Sequence, residues 1–471
     1  MSSRQAAPRF RVNEIELKER DVRLRMPFRF GVVTLTGAPQ AFARARIRLE
    51  DGREAWGAAA ELLAPKWFDK DPALSNEDNF EQLRRSLGLA RDAYLAHEPR
   101  SAWAHAAPAR GLVENYGPAL VDRALLDALC RALGVSFYRA LQANLVGAGS
   151  FEGMELGVFF GTLRPRAAVA ARHTVGLVDP ITAADQAERV NDGLPETLEE
   201  VIARYRHRYF KLKVAGDARA DVERLAAIAA VLERIEGAYH VSLDGNEQYE
   251  DMQGVAELWA RMKGDARLAR LVKSVLFIEQ PVKRQKAFAS RVEGIDKPVI
   301  IDESDDALDA FPRAKALGYR GVSSKTCKGL YKSLTNRARC AAWNKSGSEP
   351  DFRTAGKSGS DPDFYFMSGE DLTIQAGLAL QQDLALGSIL GLTHVERNGH
   401  HYVNGMAALP QDEQDAFLAA HPDLYERSHG AVRVRIEDGM LAIGSLDCPG
   451  YASRAVPDWN SMKEMSWASV S

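Results

Sequence analysis

Apolar and polar residues alternate over much of the first sixty positions, as in residues 43–49, where every second side chain is apolar. Alternation with period two is typical of half-buried antiparallel strands, and Glu50-Asp51-Gly52 is a hairpin-turn signal between two of them. Apolar residues then recur at helical spacing over 76–95 and 118–141, with Gly134 as a helix C-cap in the second stretch. Strands followed by helices predict a small α+β domain.

The pattern changes after residue 145, where short apolar runs alternate with helical stretches. Such runs are typical of parallel strands that are buried on both faces. A strand, a loop, a helix and a return loop, repeated along the chain, predict a parallel (β/α)8 barrel. The predicted strands are 154–161, 209–214, 239–243, 271–278, 298–301, 321–324, 364–367 and 389–393.

This pattern divides the chain into three segments. Residues 1–145 form the α+β domain and residues 146–425 form the barrel. Residues 426–471, with a hairpin signal at Glu437-Asp438-Gly439, are expected to return to the N-terminal domain. Residues 344–363 are rich in Gly, Ser, Asp and Pro, and Lys-Ser-Gly-Ser occurs there twice. We interpret them as a flexible insertion before the seventh barrel strand.

Polar residues stand at the ends of five predicted strands. The successive intervals from Lys213 to Asp244, Glu279, Asp302 and Lys325 are 31, 35, 23 and 23 residues, which is enough chain for one βα unit each. The carboxyl ends of the strands in such a barrel open on one face, so we expect these side chains to converge there. Their motifs are Lys211-Leu212-Lys213, Asp244-Gly245-Asn246, Ile278-Glu279-Gln280-Pro281, Ile301-Asp302-Glu303-Ser304 and Lys325-Thr326-Cys327-Lys328.

Three carboxylates in one barrel mouth predict a site for a hard divalent cation. Asp244, Glu279 and Asp302 would repel one another unless a cation lies among them, and Mg²⁺ prefers oxygen ligands. A single acidic residue after a strand is more often a helix N-cap, but three in consecutive units are harder to assign in that way. Glu303 is an alternative to Asp302 as the third ligand, although we favour Asp302. Further candidates for substrate binding or for support of the site are Lys211, Asn246, Glu303 and Glu370.

Two lysines are candidates for acid/base catalysis. Lys211 and Lys213 share one face of a strand, where repulsion between ammonium groups would favour the neutral amine that a general base needs. An exposed Lys-x-Lys on a strand edge is the alternative. Lys325 comes four units later and would approach from the opposite side of the barrel. Two lysines facing each other across a bound metal suit the abstraction of a proton α to a carboxylate.

Composition and charge exclude several other classes of protein. Apolar residues make up 46% of the 471 residues, and the formal charge of 61 − 64 = −3 provides no basic field for nucleic acid. The most apolar stretch, 372–392, contains Asp383 and three glutamines, so we expect no membrane span. Four cysteines without metal-binding spacing, and a start without a signal peptide, predict a cytoplasmic protein.

In order and spacing, the five motifs resemble those of the enolase superfamily. The resemblance is closest to the branch of muconate cycloisomerase, o-succinylbenzoate synthase and dipeptide epimerase, in the mandelate racemase/muconate lactonizing enzyme family. It extends to the N-terminal domain, which is similar to that family's capping domain, and so covers most of the chain. The resemblance implies an α/β fold, namely a modified (β/α)8 TIM barrel with an N-terminal α+β capping domain.

The same resemblance implies roles for the polar residues. The three carboxylates would bind one Mg²⁺ per active site, and Lys213 and Lys325 would be the acid/base pair. Residues 364–370 contain no histidine, although the mandelate-racemase-like branch places its base there, which favours the two-lysine chemistry. We expect a homo-oligomer that acts on a small-molecule carboxylate. The loop 28–36 is expected to close over the barrel mouth.

The expected function is an Mg²⁺-dependent isomerase, a racemase, epimerase or cycloisomerase, that removes the α-proton of a carboxylate to give a metal-stabilised enediolate. A lyase of the syn-dehydratase type and a non-catalytic relative that binds a small acid are the alternatives. A metal hydrolase would require a cluster of histidine ligands, which the spacing does not indicate. The histidines near the eighth strand, His394, His400 and His401, could contact substrate.

Overall fold

Long antiparallel strands open the N-terminal domain, as the alternating pattern predicts. The computed structural model describes residues 6–106, 110–186, 188–344 and 364–467. Strands β1 (Phe10–Phe30), β2 (Val33–Leu49) and β3 (Glu54–Leu62) pair in that order. The predicted hairpin between β2 and β3 is confirmed: the Gly52 N–H donates to the Leu49 carbonyl at 3.0 Å, and Gly52 has a φ of +89°.

Helices cover one face of this sheet. They are α1 (Asn76–Leu95), α2 (Ala102–His105), α3 (Leu112–Leu133) and α4 (Phe137–Gln142). The C-cap at Gly134 is confirmed by its left-handed φ of +65°, but the helix begins at Leu112 and the residues after the cap form the separate helix α4. Helix α3 lies directly on β3, since a Cβ added to Gly57 would be 2.0 Å from the Ala128 nitrogen.

A buried carboxyl on α3 is expected to make the stability of this domain depend on pH. Asp122 is 6% exposed, and Tyr94 Oη donates to Asp122 Oδ1 at 2.8 Å. Burial raises the pKa of Asp122 from 3.8 to about 7, against the opposing effect of the Tyr94 hydrogen bond. A carboxyl pKa that is higher in the folded state contributes stability at low pH, which is lost as the pH rises through about 7.

We therefore expect the free energy of unfolding of the wild type to fall by about 2 kcal/mol more than that of Asp122→Asn between pH 5 and pH 8. Urea unfolding of both proteins at the two pH values measures this difference. Glu236→Gln, at an exposed position, is the control and should follow the wild type. Parallel pH dependence of wild type and Asp122→Asn would show that Asp122 keeps an ordinary pKa.

A closed barrel of parallel strands forms the second domain and confirms the predicted fold class. A short hairpin, β4 (Ser150–Phe151) and β5 (Met154–Glu155), and helix α5 (Leu156–Phe160) precede it. Each barrel strand pairs in parallel with the next, and β13 pairs with β6 to close the barrel. The barrel strands are β6 (Ala168–Val175), β7 (Tyr209–Lys213), β8 (His240–Asp244), β9 (Val275–Glu279), β10 (Val299–Ile301), β11 (Gly321–Ser324), β12 (Phe366–Gly369) and β13 (His394–Arg397).

Helices surround the barrel, and short strands follow it. The α-helices are α6 (Leu198–Tyr205), α7 (Ala218–Leu232), α8 (Met252–Gly264), α9 (Ala269–Ser274), α10 (Arg284–Ala287), α11 (Ala310–Ala316), α12 (Leu330–Trp343), α13 (Leu378–Ile389), α14 (Gly399–Tyr402) and α15 (Gln411–Ala420). The 3₁₀ helices are Ala183–Asp185, Ala266–Leu268, Thr326–Lys328, Gly444–Leu446 and Trp459–Ser461. The last strands are β14 (Tyr425–Ser428), β15 (Ala431–Val434), β16 (Met440–Ala442) and β17 (Lys463–Glu464).

The predictions for the first and last barrel strands are wrong. Residues 154–161 form β5 and α5, and the first barrel strand is β6, whose sequence contains Arg172 and His173. Residues 389–393 lie at the end of α13 and in the turn after it, and the eighth strand is β13, which begins at His394. Both strands carry buried charged or imidazole side chains, so their sequences do not show the continuous apolar run expected of a barrel strand.

The remaining boundary differences are smaller. The seventh strand is β12, displaced by two residues from the predicted 364–367. Residues 345–363 of the predicted insertion lie outside the described residues. In the C-terminal segment, β16 pairs with the barrel strand β6, whereas β17 pairs with β1 of the N-terminal domain. Of the described helices, none is long and apolar enough to cross a membrane.

Candidate active site

Five polar side chains meet at the carboxyl ends of five consecutive barrel strands. Lys213, Asp244 and Glu279 are the last residues of β7, β8 and β9, and adjacent pairs of them are in register. Asp302 and Lys325 follow directly after β10 and β11. The three carboxylates are 0% exposed, and the two lysines are 5% and 4% exposed. The structure thus brings together all the residues for which metal-binding or acid/base roles were predicted.

Each terminal lysine of this row contacts the carboxylate on the neighbouring strand. Lys213 Nζ donates to Asp244 Oδ2 at 2.5 Å, and Lys325 Nζ donates to Asp302 Oδ2. Burial opposes the charged form of Lys325, but Asp302 holds the pKa of this lysine above its usual value. Strands β7 and β11 are four apart in the closed barrel, so Lys213 and Lys325 approach the mouth from opposite sides.

Lys211 lies among carboxylates below the mouth. Its Nζ is 2.8 Å from Asp244, 2.9 Å from Glu279, 2.7 Å from Glu370 and 3.1 Å from Glu396. Burial alone would lower the pKa of Lys211, but these four anions hold it well above its ordinary value. The positive charge of Lys211 therefore neutralises part of the acidic cluster.

Glu279 is the carboxylate whose charge is least compensated. Burial first, and then the neighbouring carboxylates, raise its pKa well above the ordinary value, against the opposing charge of Lys211. Neither carboxylate oxygen has a hydrogen-bond partner, although Lys211 Nζ lies 2.9 Å from Oε2. A buried carboxylate with unsatisfied oxygens among other acids fits a site for a bound cation.

The two adjacent acids after β10 face different partners. Asp302 contacts the lysine at the end of β11, and three lysines hold its pKa below the usual value although burial opposes this. Glu303 instead contacts Lys70 of the N-terminal domain at 3.1 Å and Asn246 Nδ2 at 3.4 Å. Asp302 is thus part of the row of strand-end residues, whereas Glu303 contacts Lys70 and Asn246, which lie outside that row.

The other predicted support residues lie at the edges of the cluster. The Asn246 backbone N–H donates to Asp244 Oδ1 at 2.9 Å, which orients this carboxylate. Glu370 follows β12 and is fully buried, where it contacts Arg172 and Lys211. Its charge is compensated by these two cations, so Glu370 helps to hold Lys211 in position.

Aromatic and aliphatic side chains of the N-terminal domain close the pocket from above. Lys325 Nζ lies 4.3 Å from the centre of the Trp67 ring system, and Lys213 Nζ lies 5.9 Å from the centre of the Phe30 ring. Phe30 stands at the tip of the β1–β2 hairpin, within the loop 28–36 that was expected to close over the mouth. The apolar residues that line the pocket are Phe28, Phe30, Leu35, Leu62, Ala64, Trp67, Leu372 and Ile374.

Ionic contacts hold the Trp67 segment against the barrel. Lys70 Nζ lies 2.6 Å from Glu247 Oε2, and Arg284 donates to the backbone carbonyls of Trp67 and Phe68 at 2.8 Å each. Arg284 also contacts Glu247 at 2.8 Å. These charged groups are largely buried. Their contacts hold the Trp67 segment, which forms one wall of the pocket, in place over Lys325.

Several residues of the pocket were not predicted from the sequence. Glu396 and Asn398 line the pocket, and Glu396 contacts Lys211, but the eighth strand was predicted five residues too early for a strand-end rule to find them. Trp67 stands outside any motif and is brought to the site only by the packing of the two domains. The suggestion that His394 contacts substrate is wrong, since its ring lies inside the barrel against Arg172 and Tyr209.

The comparison with protein families agrees with this geometry. Residues 193–346 match the family model described as enolase C-terminal domain-like. Muconate cycloisomerase 1-2 of Acinetobacter lwoffii is 26% identical over 315 residues, which are 65% of this chain and 68% of the relative. The matched region 193–346 contains the row from Lys213 to Lys325.

Solved structures share the complete architecture. The 2-chloromuconate cycloisomerase from Rhodococcus opacus 1CP superposes with a TM-score of 0.59 at 16% identity, covering 95% of this chain and 97% of that one. The L-Ala-D/L-Glu epimerase from Bacillus subtilis gives a TM-score of 0.56 at 15% identity, with 94% and 99% covered. These two likenesses establish the fold, and the family model places the row of lysines and carboxylates within it. By these similarities the chain resembles the enolase superfamily, in the branch of mandelate racemases and muconate lactonizing enzymes, and the family match itself covers residues 193–346.

Proposed function

We propose that this protein is an Mg²⁺-dependent isomerase that removes the proton α to the carboxylate of a small substrate. The observation that carries the proposal is the row Lys213, Asp244, Glu279, Asp302 and Lys325 on consecutive strands, with a lysine at each end. Two amines on opposite sides of a substrate can act on the two faces of one α-carbon. A racemase, an epimerase or a cycloisomerase could use this arrangement.

The three central carboxylates are the proposed metal ligands. Hard oxygen donors on adjacent strands suit Mg²⁺, and the unsatisfied oxygens of Glu279 are consistent with a cation among them. When bound, Mg²⁺ supplies positive charge that stabilises the enediolate oxygens of the substrate. Asp302 is preferred to Glu303 as the third ligand because its carboxylate contacts the row, whereas Glu303 contacts Lys70.

The proposed proton transfers belong to the terminal lysines. Lys213 would remove or return the proton on one face, and Lys325 would do so on the other. Contact with Asp244 and Asp302 positions the two amines, and the Trp67 and Phe30 rings beside them keep water away from the reacting carbon. Lys211 remains charged and holds the acidic cluster together.

The chemistry of the pocket narrows the substrate class. Eight of the side chains that line it are aromatic or aliphatic, and its charged side chains are three lysines together with Asp371 and Glu396. We therefore propose a substrate with one carboxylate at the metal and an uncharged, partly apolar remainder under Trp67. The relatives named above include cycloisomerases and an epimerase, which supports isomerisation over the alternative of dehydration.

Exchange of the α-hydrogen in D₂O tests the proposal directly. Pooled dipeptides, N-acyl amino acids and hydroxy acids are incubated with enzyme and Mg²⁺, and the loss of α-proton signals is followed by NMR. We expect exchange in at least one class of carboxylate, and we expect EDTA to abolish it. Absence of exchange across the library, in protein shown to bind Mg²⁺, would favour a non-catalytic acid-binding protein. The mutations that assign the individual roles are described in the Discussion.

A further inference from the structure

Histidines from three distant parts of the chain meet outside the pocket. His173 lies on β6, His207 lies in the loop before β7, and His400 lies on α14. The ring centres are 5.4 Å apart for His173 and His207, 5.2 Å for His173 and His400, and 5.0 Å for His207 and His400. His173 and His207 are 2% and 1% exposed, and His400 is half-buried.

This cluster lies on the outer side of the barrel wall. The neighbours of His173 on β6, Arg172 and Thr174, point into the barrel, where they bond to Glu370 and Glu396. Successive side chains of a strand point to opposite faces, so His173 points outward, toward the surrounding helices. The histidine cluster is therefore separate from the carboxylate row.

We propose that His173, His207 and His400 bind one divalent transition-metal ion, with Zn²⁺ as the ion that best fits three imidazoles. One ring nitrogen from each residue lies within 4.8 Å of those of the other two, and His173 Nδ1 is 3.1 Å from His400 Nε2. Nitrogen ligands at about 2.0–2.1 Å from a tetrahedral Zn²⁺ are about 3.3 Å apart. Small rotations of the rings would complete such a site.

The tautomer of His207 supports the proposal. Its Nδ1 lies 3.0 Å from the carbonyl oxygen of Ala171, and a carbonyl can only accept, so Nδ1 carries the hydrogen. The lone pair is therefore on Nε2, which is buried and has no hydrogen-bond partner. A metal-binding histidine typically donates its other N–H to a backbone carbonyl in this way, and a metal would satisfy the unpartnered nitrogen.

The lowered pKa values of the three histidines favour the binding of Zn²⁺ or a similar ion. Burial, and then repulsion among the histidines, lower the pKa of His173 and His400 well below the ordinary value, and burial lowers that of His207 to about 4. These shifts favour the neutral imidazole, which has a lone pair available for a metal. Imidazole nitrogens suit Zn²⁺ and related ions, whereas Mg²⁺ prefers oxygen, so the two sites would select different metals.

The position of the cluster indicates a structural role. Strand β6 pairs with both β13 and β7 where the barrel closes, and α14 directly follows β13. A metal bound by the three histidines would connect β6, the segment entering β7 and the segment leaving β13. Bound metal would therefore stabilise the folded state at the closure of the barrel.

Metal binding is tested in a protein whose carboxylate site cannot compete. The double variant Asp244→Asn/Glu279→Gln is freed of metal with EDTA, and Zn²⁺ or Co²⁺ is then added in the presence of excess Mg²⁺. We expect one Zn²⁺ per chain, a rise in Tm with Zn²⁺, and the intense visible absorption of tetrahedral Co²⁺. Adding His207→Gln or His400→Gln should weaken Zn²⁺ binding at least about tenfold and remove the Co²⁺ bands.

His421→Gln in the same background is the control, since His421 is also fully buried but lies outside the cluster, near Ser445 and Arg454. It should keep both the stoichiometry and the spectrum. His400 is half-buried, so a substitution there is tolerated better than one at His207. If His207→Gln does not fold, His400→Gln therefore still tests whether the cluster binds Zn²⁺. Unchanged Zn²⁺ affinity in folded His400→Gln, or no Zn²⁺ bound by the background variant, would overturn the proposal. These readouts do not depend on the proposed enzymatic activity.

Discussion

Replacing Lys213 with alanine is expected to slow α-hydrogen exchange by about 10²- to 10⁴-fold, because the variant loses one of the two amines that transfer the proton. Lys213 lines the pocket beside Phe30, and its Nζ donates to Asp244 at 2.5 Å. Removing a cation next to a metal ligand should leave Mg²⁺ affinity unchanged or higher. The rate is measured by NMR in D₂O, and Mg²⁺ affinity by isothermal titration calorimetry.

Lys297→Ala is the matched control for this experiment. Lys297 is a partly buried lysine just before β10, at the end of the barrel opposite the pocket, where its Nζ donates to the Val275 carbonyl at 2.6 Å. Its removal should leave the exchange rate unchanged. Lys325→Ala should impair exchange on the other face of the α-carbon, so a chiral substrate would distinguish the two lysines. A Lys213→Ala variant as active as Lys297→Ala would refute the role of Lys213.

Replacing Asp244 with asparagine is expected to weaken Mg²⁺ binding by at least about 10- to 100-fold, and to lower exchange in parallel. The amide keeps the size of the side chain but removes one of three anionic ligands. It also removes the partner of Lys213 and one of the four carboxylates around Lys211. Calorimetric titration of Mg²⁺ into metal-free protein measures the loss of affinity.

Asp122→Asn is the matched control, because Asp122 is also a buried carboxyl but belongs to the N-terminal domain. Its Mg²⁺ affinity should equal that of the wild type. The same titration decides the third ligand: Asp302→Asn should lose affinity as Asp244→Asn does, whereas Glu303→Gln should lose less. Wild-type affinity in Asp244→Asn would contradict the proposed ligand set, and a larger loss in Glu303→Gln would reverse the preference for Asp302.

Most of the barrel could be predicted because its middle strands share a pattern that spans only a few residues of the sequence. Strands β8 to β10 are mostly apolar runs with an acidic residue at or just after their end, and β7 and β11 have a lysine at the same place, so both the strand and the residue aimed at the mouth are visible in the sequence. Strands β6 and β13 break this pattern, since Arg172 and His394 are buried within the barrel and contact each other at 2.9 Å. Their charge and polarity are compensated by partners far away in the chain, which a local pattern cannot reveal.

The sequence by itself determined the order of the βα units, the two lysines and three carboxylates at strand ends, and the family resemblance that follows from their spacing. These features are local, because the period of a strand and the residue at its end are both set within a few positions. Only the tertiary structure decided that Glu396 shares the cluster of Lys211, that Trp67 covers Lys325, and that three histidines meet behind β6. Such contacts join segments up to a few hundred residues apart, and they depend on the closure of the barrel and the packing of the second domain on it.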